Sequence, residues 1–564
     1  MQLSTLAKRG SLVLFFAVAA FYFYGLGHLP LLGPDEPRYA QIAREMFLRG
    51  DLITPTLSGH PWFEKPALLY WMMILSYKLF GVSEWSARLP AAVAGLLTVG
   101  AVYFIGRSVE RATQKTAEQN GSTLETGRNA CPTGLGFWSA LAAATTLGII
   151  VFSRAASFDI IVTMTMTWAL AFFLMSELEE TLKARRRLLV GFYIFIGLSL
   201  LAKGLIGIVI PLGIVSAYYV FRRTLPKRDA MLSLFWGIPL ALAVAAVWYA
   251  PVFWKHGWPF VDQFFIQHQF ARYVSDKYRH PAPVYFYLLV LIPLSLPWTA
   301  FLFDGIGRIK PWVRRANDSE VDPVASLLIL AFAWLLAPLL FFSFSTSKLP
   351  GYILPVLPAT ALIAGHRLAQ LNSRTVNRKW AIRATAALCL LLALAAPLYA
   401  WRSGQPSLQS ALIVAVLLGL AGTFALISVR HRESSVLAIA GATLVVAVVV
   451  LHCWAPRTVE RETSKHLLQL ADQRGYSQTA MYGLQRDDRT PEFYAGGRVV
   501  YGPDHEPIMY DGVASVVAES LTRKETLLVF VPLKDVGYFT ALKSAQVDVI
   551  GDNGRVAILA VTAR

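Results

Sequence analysis

Gly33-Pro34-Asp35-Glu36-Pro37-Arg38-Tyr39-Ala40 leads directly into Gln41-Ile42-Ala43-Arg44-Glu45-Met46-Phe47-Leu48-Arg49-Gly50. Pro37 suits the first turn of a helix and pushes Glu36 toward an extended backbone. Tyr39, Ile42, Ala43, Met46 and Phe47 then recur at i, i+3, i+4, i+7 and i+8, and Gly50 closes the pattern. The spacing predicts an amphipathic helix over 37–49, about 13 residues long. That is too short to span a bilayer, so the helix is expected on its surface, apolar face toward lipid. An apolar run at 11–29 precedes this segment and another at 88–106 follows it.

The rest of the chain repeats that alternation. Of 564 residues, 55% are hydrophobic and 15% charged, with a mean hydropathy of +0.50. Soluble domains average about 25% charged residues, so an ordinary cytosolic enzyme is excluded. Apolar runs of membrane-spanning length recur at 11–29, 88–106, 135–152, 160–176, 187–202, 204–221, 231–253, 284–303, 324–346, 350–365, 381–400, 408–428 and 435–454. Within lipid each must be a helix, because open backbone would leave N–H and C=O groups unpaired. The fold class expected is an α-helical polytopic membrane protein of about 13 spans. Ala17-Val18-Ala19 resembles a cleavage site, but the run continues through Phe21-Tyr22-Phe23-Tyr24, as an uncleaved anchor would.

The net charge of +17 does not make a nucleic-acid-binding face. Lys183, Arg185, Arg186, Arg187, Arg222, Arg223, Lys227 and Arg228 sit in short clusters between apolar runs, where basic residues mark the inner side. With the N-terminus inside, loops at about 30–87 and 254–283 and the tail 455–564 fall outside. The tail regains charge. Leu527-Leu528-Val529-Phe530-Val531 reads as a buried strand. Val547-Asp548-Val549-Ile550 and Val556-Ala557-Ile558-Leu559, joined through Asp552-Asn553-Gly554, read as a hairpin. Residues 455–564 are therefore expected to form a small outer α/β domain after a transmembrane domain at 1–454. Cys131, Cys389 and Cys453 make neither a zinc pattern nor a disulfide framework. Zinc-protease, esterase and nucleotide-loop motifs are lacking too.

Ionisable residues gather on the outer side. Asp35 and Glu36 stand where the first span meets the surface helix, and Asp35 also suits a helix cap. Glu64 and Lys65 lie between aromatic residues and Pro66 in Trp62-Phe63-Glu64-Lys65-Pro66. Arg154 and Asp159 occupy the ends of two helices. Lys203 divides two apolar runs, Lys348 precedes Leu349-Pro350-Gly351-Tyr352, and His268 stands in the 254–283 loop. Charges at such depth point to function by default. A set of carboxylates and cations on one side can hold a phosphate and a sugar.

Three stretches carry a family resemblance: Asp35 to Met46, Phe63-Glu64-Lys65-Pro66, and Gly81-Val82-Ser83-Glu84-Trp85-Ser86-Ala87-Arg88-Leu89-Pro90. They resemble bacterial integral-membrane glycosyltransferases of the protein O-mannosyltransferase superfamily, which have the GT-C fold. Within it the chain most resembles the lipid A aminoarabinose transferase branch. The resemblance implies a polyprenyl-phosphate-linked sugar as donor, lipid A or another periplasmic acceptor, and inverting transfer on the periplasmic face of the bacterial inner membrane. It implies Asp35, Glu36 and Asp159 as catalytic carboxylates. Arg38, Tyr39, Lys65, Arg154, Lys203, Lys348 and Tyr352 would face donor phosphate or substrate. It implies no required cofactor, with a divalent ion such as zinc conceivable at Glu64 and His268. The long polar segment Gln114 to Gly134 departs from the family pattern. Transfer of a different sugar, or to a protein hydroxyl, remains an alternative within the class. A flippase would place charges at the midplane on matched repeats instead.

Overall fold

The structure, a computed structural model, describes residues 16–119, 134–271, 281–308, 322–372, 379–404, 407–429, 431–484, 490–502 and 506–564. The start of the first apolar run, most of 114–134, Cys131 and residues 272–280 lie outside the described residues. Each apolar run is largely helical where described. Among the described residues, eight helices are long and apolar enough to cross a membrane. The shorter apolar helices Leu68–Phe80, Leu135–Thr145 and Ile206–Arg222 accompany them.

The difference from thirteen has local causes. Thr146 adopts an extended conformation and divides run 135–152 into helices Leu135–Thr145 and Leu147–Phe152. Run 284–303 likewise becomes Phe286–Leu294 and Thr299–Ile306. Helix Leu182–Lys203 carries arginines at one end and Lys203 at the other, which dilutes its hydropathy. Run 204–221 forms Ile206–Arg222, just short of a full span, whereas run 350–365 remains a candidate span although it starts as a 3-10 turn, Pro350–Val356, where two prolines lack the N–H that an α-helix needs.

Burial grades across the bundle. Leu357–Asn372 is nearly enclosed and Pro323–Ser343 mostly buried, whereas Arg228–His256, Trp380–Ser403 and Leu408–Ile427 expose Phe235, Leu394 and Ile427. An apolar surface on so many helices is what lipid, not water, would cover.

The segment between the first two long helices holds helix Asp35–Arg49, a small hairpin of β1 (Thr56–Leu57) and β2 (His60–Pro61), and helix Leu68–Phe80. Gly50 ends the first of these in the left-handed region (φ 65°), its N–H reaching Met46 O and Phe47 O. The apolar face of this helix does not meet lipid as expected. Tyr39, Ala40, Ile42, Ala43 and Met46 are buried in the main core, beside Leu69, Tyr70 and Met73 of the next helix. The loop expected at 254–283 is mostly helical where described. Gly257 breaks the long helix after His256, and Trp258–Val261 and a π-helical stretch, Asp262–Ala271, follow.

After the last long helix lies a five-stranded sheet ordered β4-β3-β5-β7-β6. Its strands are β3 (Met481–Leu484), β4 (Met509–Tyr510), β5 (Leu527–Pro532), β6 (Ala545–Asp552) and β7 (Val556–Ala563). β3 runs parallel to β4 and β5; β7 pairs antiparallel with β5 and β6. Leu527, Val529 and Val531 pack with helix Val513–Arg523 on one face, and Leu528 and Phe530 with helix Lys465–Gln473 on the other. Burial on both faces explains the unbroken apolar run of β5.

Candidate active site

Two charged groups meet where several helices end. The first is organised by a buried ion pair. Arg88, in the first turns of helix Glu84–Gln119, donates from Nε to Glu36 Oε1 (3.0 Å) and from Nη2 to Glu36 Oε2 (2.8 Å). The same guanidinium donates to the carbonyls of Leu26, Leu29 and Pro30. Glu36 also accepts from the N–H groups of Leu32 (2.9 Å) and Ala156 (2.6 Å). Both side chains are buried, so this is a fully hydrogen-bonded pair with no open face. It ties the end of the first helix, the start of helix Asp35–Arg49 and the 153–157 turn together.

Its neighbour Asp35 points the other way and its side chain is 51% exposed. Arg38 donates to Asp35 Oδ1 at 2.6 Å and stands 3.6 Å from Glu64 Oε2. Lys65 Nζ donates to Glu64 Oε1 at 2.9 Å. The result is an alternating row, Asp35–Arg38–Glu64–Lys65. Trp62 lies beside it, its ring 5.5 Å from the Arg38 guanidinium. Burial opposes the Arg38 charge, but Glu64, Tyr39, Asp35 and Glu492 hold its pKa well above the ordinary arginine value. Burial, then Asp35 and Glu64, raise the Tyr39 phenol well above its usual range. Arg38 therefore stays cationic and Tyr39 stays a neutral hydrogen-bonding group.

The second group is Asp159, Lys203, Gly351 and Tyr352. Ser157 caps helix Phe158–Leu178 by accepting from the Asp159 N–H at 3.1 Å. Lys203, at the last turn of helix Leu182–Lys203, donates to Asp159 Oδ1 and stands 4.7 Å from the Tyr352 ring. Gly351 abuts Asp159 directly. Lys348 is buried and donates to Ser345 O; among the described residues it has no carboxylate partner. Phe158 joins the two groups: its ring is 4.9 Å from Tyr39 and 5.3 Å from Tyr70.

Arg154 and His268 complete the expected set. The Arg154 guanidinium donates to Tyr24 O and Phe21 O and lies 4.5 Å from the Phe21 ring, closing the C-terminal end of the first helix. His268 sits on the π-helical stretch whose Phe264 packs with Phe63, next to Glu64. Among the described residues no three His, Cys, Asp or Glu side chains group as metal ligands do. Arg88 and Gly351 are not among the residues expected at the site from sequence. A charge just inside the apolar run at 88–106 was the signal for Arg88; Gly351 left none beyond its place beside Tyr352.

The described helices form a polytopic bundle with carboxylates and cations packed around aromatic residues at one end. Residues 64–117 match the family described as dolichyl-phosphate-mannose-protein mannosyltransferase. Over 98% of both chains the fold superimposes on ArnT from Cupriavidus metallidurans bound to undecaprenyl phosphate, with a TM-score of 0.77 and 24% identity. The apo form of that protein gives 0.76. The chain is 30% identical over 381 residues to the undecaprenyl phosphate-alpha-4-amino-4-deoxy-L-arabinose arabinosyl transferase of Aeromonas salmonicida, a match spanning 67% of this chain and 62% of that one. It is 29% identical over 401 residues to the second such transferase of Pseudomonas fluorescens, spanning 70% of this chain and 61% of that one. The chain thus matches less than two thirds of the length of these relatives. By fold it is ArnT-like.

Proposed function

We propose that this chain is an inverting, polyprenyl-phosphate-dependent glycosyltransferase. It moves 4-amino-4-deoxy-L-arabinose from an undecaprenyl-phosphate-linked donor to a phosphate of lipid A, at the periplasmic face of the bacterial inner membrane. Residues 1–454 form the membrane-embedded catalytic part and 455–564 a periplasmic α/β part. The observation that carries this reading is the Asp35–Arg38–Glu64–Lys65 row beside Asp159–Lys203–Tyr352. The names of the relatives and of the solved structure support the choice of donor and sugar.

In this reading an acceptor phosphate oxygen attacks the anomeric carbon and the polyprenyl phosphate departs from the opposite face. The leaving group is already an anion, so cations serve it better than a general acid. Arg38, Lys65, Lys203 and Lys348 are the cations at hand, and Tyr39 and Tyr352 are polar aromatic walls. A lipid A phosphate needs no base. Half-exposed Asp35 instead faces the positive charge developing at the anomeric carbon and the ammonium of the sugar. Asp159, held by Lys203, supports that field. Glu36 belongs to the scaffold on this account, because Arg88 and two backbone N–H groups already satisfy it. Arg154 joins it there.

The Glu64 carboxylate has Lys65 and Arg38 beside it, which already neutralise the charge that a divalent ion would need. No step runs through a metal at Glu64 and His268. Transfer is expected to persist in a chelator.

Mass spectrometry of lipid A from cells with and without the chain tests the function. Aminoarabinose on lipid A only in its presence supports the reading. Unmodified lipid A with a different sugar moved from a polyprenyl phosphate would reassign donor and acceptor.

A further inference from the structure

Helix Asp35–Arg49 is held from a direction the proposed chemistry does not use. The short helix Pro491–Tyr494, from the C-terminal region, lies against it. Phe493 is buried in the same core as Tyr39, Tyr70 and Phe158. Arg44 donates from Nη1 to Phe493 O at 3.4 Å, with its guanidinium 6.0 Å from the Phe493 ring. Tyr494 spans the joint itself. Its ring packs against the main core and against the core around Leu528 and Phe530 of the C-terminal sheet. Its Oη accepts from the Leu31 N–H at 2.7 Å and donates to Glu84 Oε1 at 3.3 Å. Lys465 pairs with Glu84 as well and stands 5.6 Å from the Tyr494 ring. The C-terminal region thereby grips both the stretch that leads into Asp35 and the helix that carries Arg88.

Leu31 lies where such a bond matters. Residues 31 and 32 belong to no helix or strand, so no backbone ladder fixes them. Pro30 and Pro34 bracket the stretch and have no N–H, which leaves Leu31, Leu32 and Gly33 as its backbone donors. The Leu32 N–H goes to Glu36, and Arg88 holds the carbonyls of Leu29 and Pro30. Leu31 is fully buried, and a buried N–H left without a partner is costly. Of these anchors, Tyr494 alone comes from the C-terminal region.

We propose that Tyr494 is a positioning residue of the site, supplied by the C-terminal region: its hydroxyl ties Leu31 to Glu84 and so fixes where the stretch 31–34 delivers Asp35 relative to Arg38 and Glu64. Arg88 holds this stretch through Glu36 and two carbonyls, and Tyr494 holds the N–H that lies between them. Both holds run to the same helix, since Glu84 stands one turn before Arg88. Without the hydroxyl the Leu31 N–H has to find water, and Asp35, four residues on, moves with it. The C-terminal region completes the site in this account. The inference rests on the transferase reading for what the positioning accomplishes, but not for the contact itself.

The test uses the full-length protein with undecaprenyl-phosphate-aminoarabinose and lipid A. Tyr494→Phe keeps the ring and removes both hydrogen bonds. Lys465→Met removes the other contact of Glu84 and leaves the hydroxyl in place, so it controls for a loosened interface. The kcat of Tyr494→Phe is expected to fall roughly 5- to 10-fold with both KM values within about 2-fold, since a site group moves and no substrate contact is lost. Lys465→Met should keep kcat within about 2-fold of wild type, even where its melting temperature falls as far. A near-wild-type kcat in Tyr494→Phe, or an equal loss in both variants, would overturn the proposal in favour of a packing role. Hydrogen exchange read by mass spectrometry needs no substrate. Peptides covering 29–36 should exchange roughly 5- to 10-fold faster in Tyr494→Phe and at the wild-type rate in Lys465→Met. Unchanged exchange in Tyr494→Phe would overturn the proposal as well. Faster exchange in Tyr494→Phe, in a protein whose wild type transfers no aminoarabinose, would instead retire the function reading while leaving the hold on Leu31 in place.

Discussion

Gly351 approaches Asp159 so closely that a Cβ on the glycine would lie 2.1 Å from Asp159 Oδ2. Nothing but hydrogen fits there. The 3-10 turn can reach the Asp159–Lys203 pair only because residue 351 has no side chain. Gly351→Ala must push the carboxylate or the turn aside, and the Phe152 ring, 3.0 Å from the same point, blocks one escape. Displacing a site group by about 1 Å costs up to about 100-fold in rate. Gly351→Ala is therefore expected to lose about 10- to 100-fold in turnover. Turnover measured beside a melting curve will tell displacement from unfolding; wild-type turnover would mean that Asp159 tolerates movement.

Asp35→Asn keeps the shape of the side chain and removes its charge. Turnover should fall about 100-fold or more, the range of positioned electrostatic and acid–base groups. Folding should survive, because the side chain is half exposed and pairs only locally with Arg38. A folded Asp35→Asn protein with near-normal turnover would reduce Asp35 to a charge at the start of a helix.

The neighbouring carboxylate should behave in the opposite way. Breaking a buried, hydrogen-bonded ion pair by removing one partner costs about 3–5 kcal/mol. Arg88→Met leaves Glu36 buried without its cation and frees three carbonyls. The expected result is loss of folded protein, read as yield and melting temperature in detergent. A stable Arg88→Met protein that has merely lost activity would return Glu36 and Arg88 to the chemistry.

Lys348 and Lys203 differ in a way that activity can read. Lys203 has a carboxylate partner and Lys348 a carbonyl. A charge-assisted contact is worth about 1.5–3 kcal/mol, so losing a phosphate ligand weakens donor use about 10-fold or more. Lys348→Ala should raise the donor KM by that factor with the acceptor KM unchanged. Lys203→Ala should lower kcat as well, since it also unpairs Asp159. A Lys348→Ala protein with a raised acceptor KM alone would move Lys348 to the acceptor side.

What the sequence made legible followed from periodicity. The apolar runs are helical, Gly50 ends its helix, and 527–531 and the 547–559 hairpin are strands. These are local patterns, and the backbone obeys them wherever the environment is apolar. What stayed hidden was partner identity. The pattern of Tyr39, Ile42, Ala43 and Met46 marks an apolar face, but it cannot say whether lipid or protein covers it; here protein does. Asp35 and Glu36 look alike in sequence. They part company because Arg88, 52 positions on, folds back to one of them. The charge of Arg154 is visible too, but the Phe21 and Tyr24 carbonyls it meets are not. Side-chain charge is visible in a sequence, whereas the atom that answers it comes from elsewhere in the chain.

The grip on Glu84 also has a consequence in time. Glu84 opens a helix made early in synthesis, yet Lys465, its ion-pair partner, is translated 381 residues later, and Tyr494 later still. The helices that present Asp35 and Arg88 enter the membrane long before anything can clamp them. Until the late residues emerge and fold back, the early segment keeps Glu84 unanswered and Leu31 without its hydroxyl partner. The contacts around Glu84 are therefore completed only after Lys465 and Tyr494 have been made.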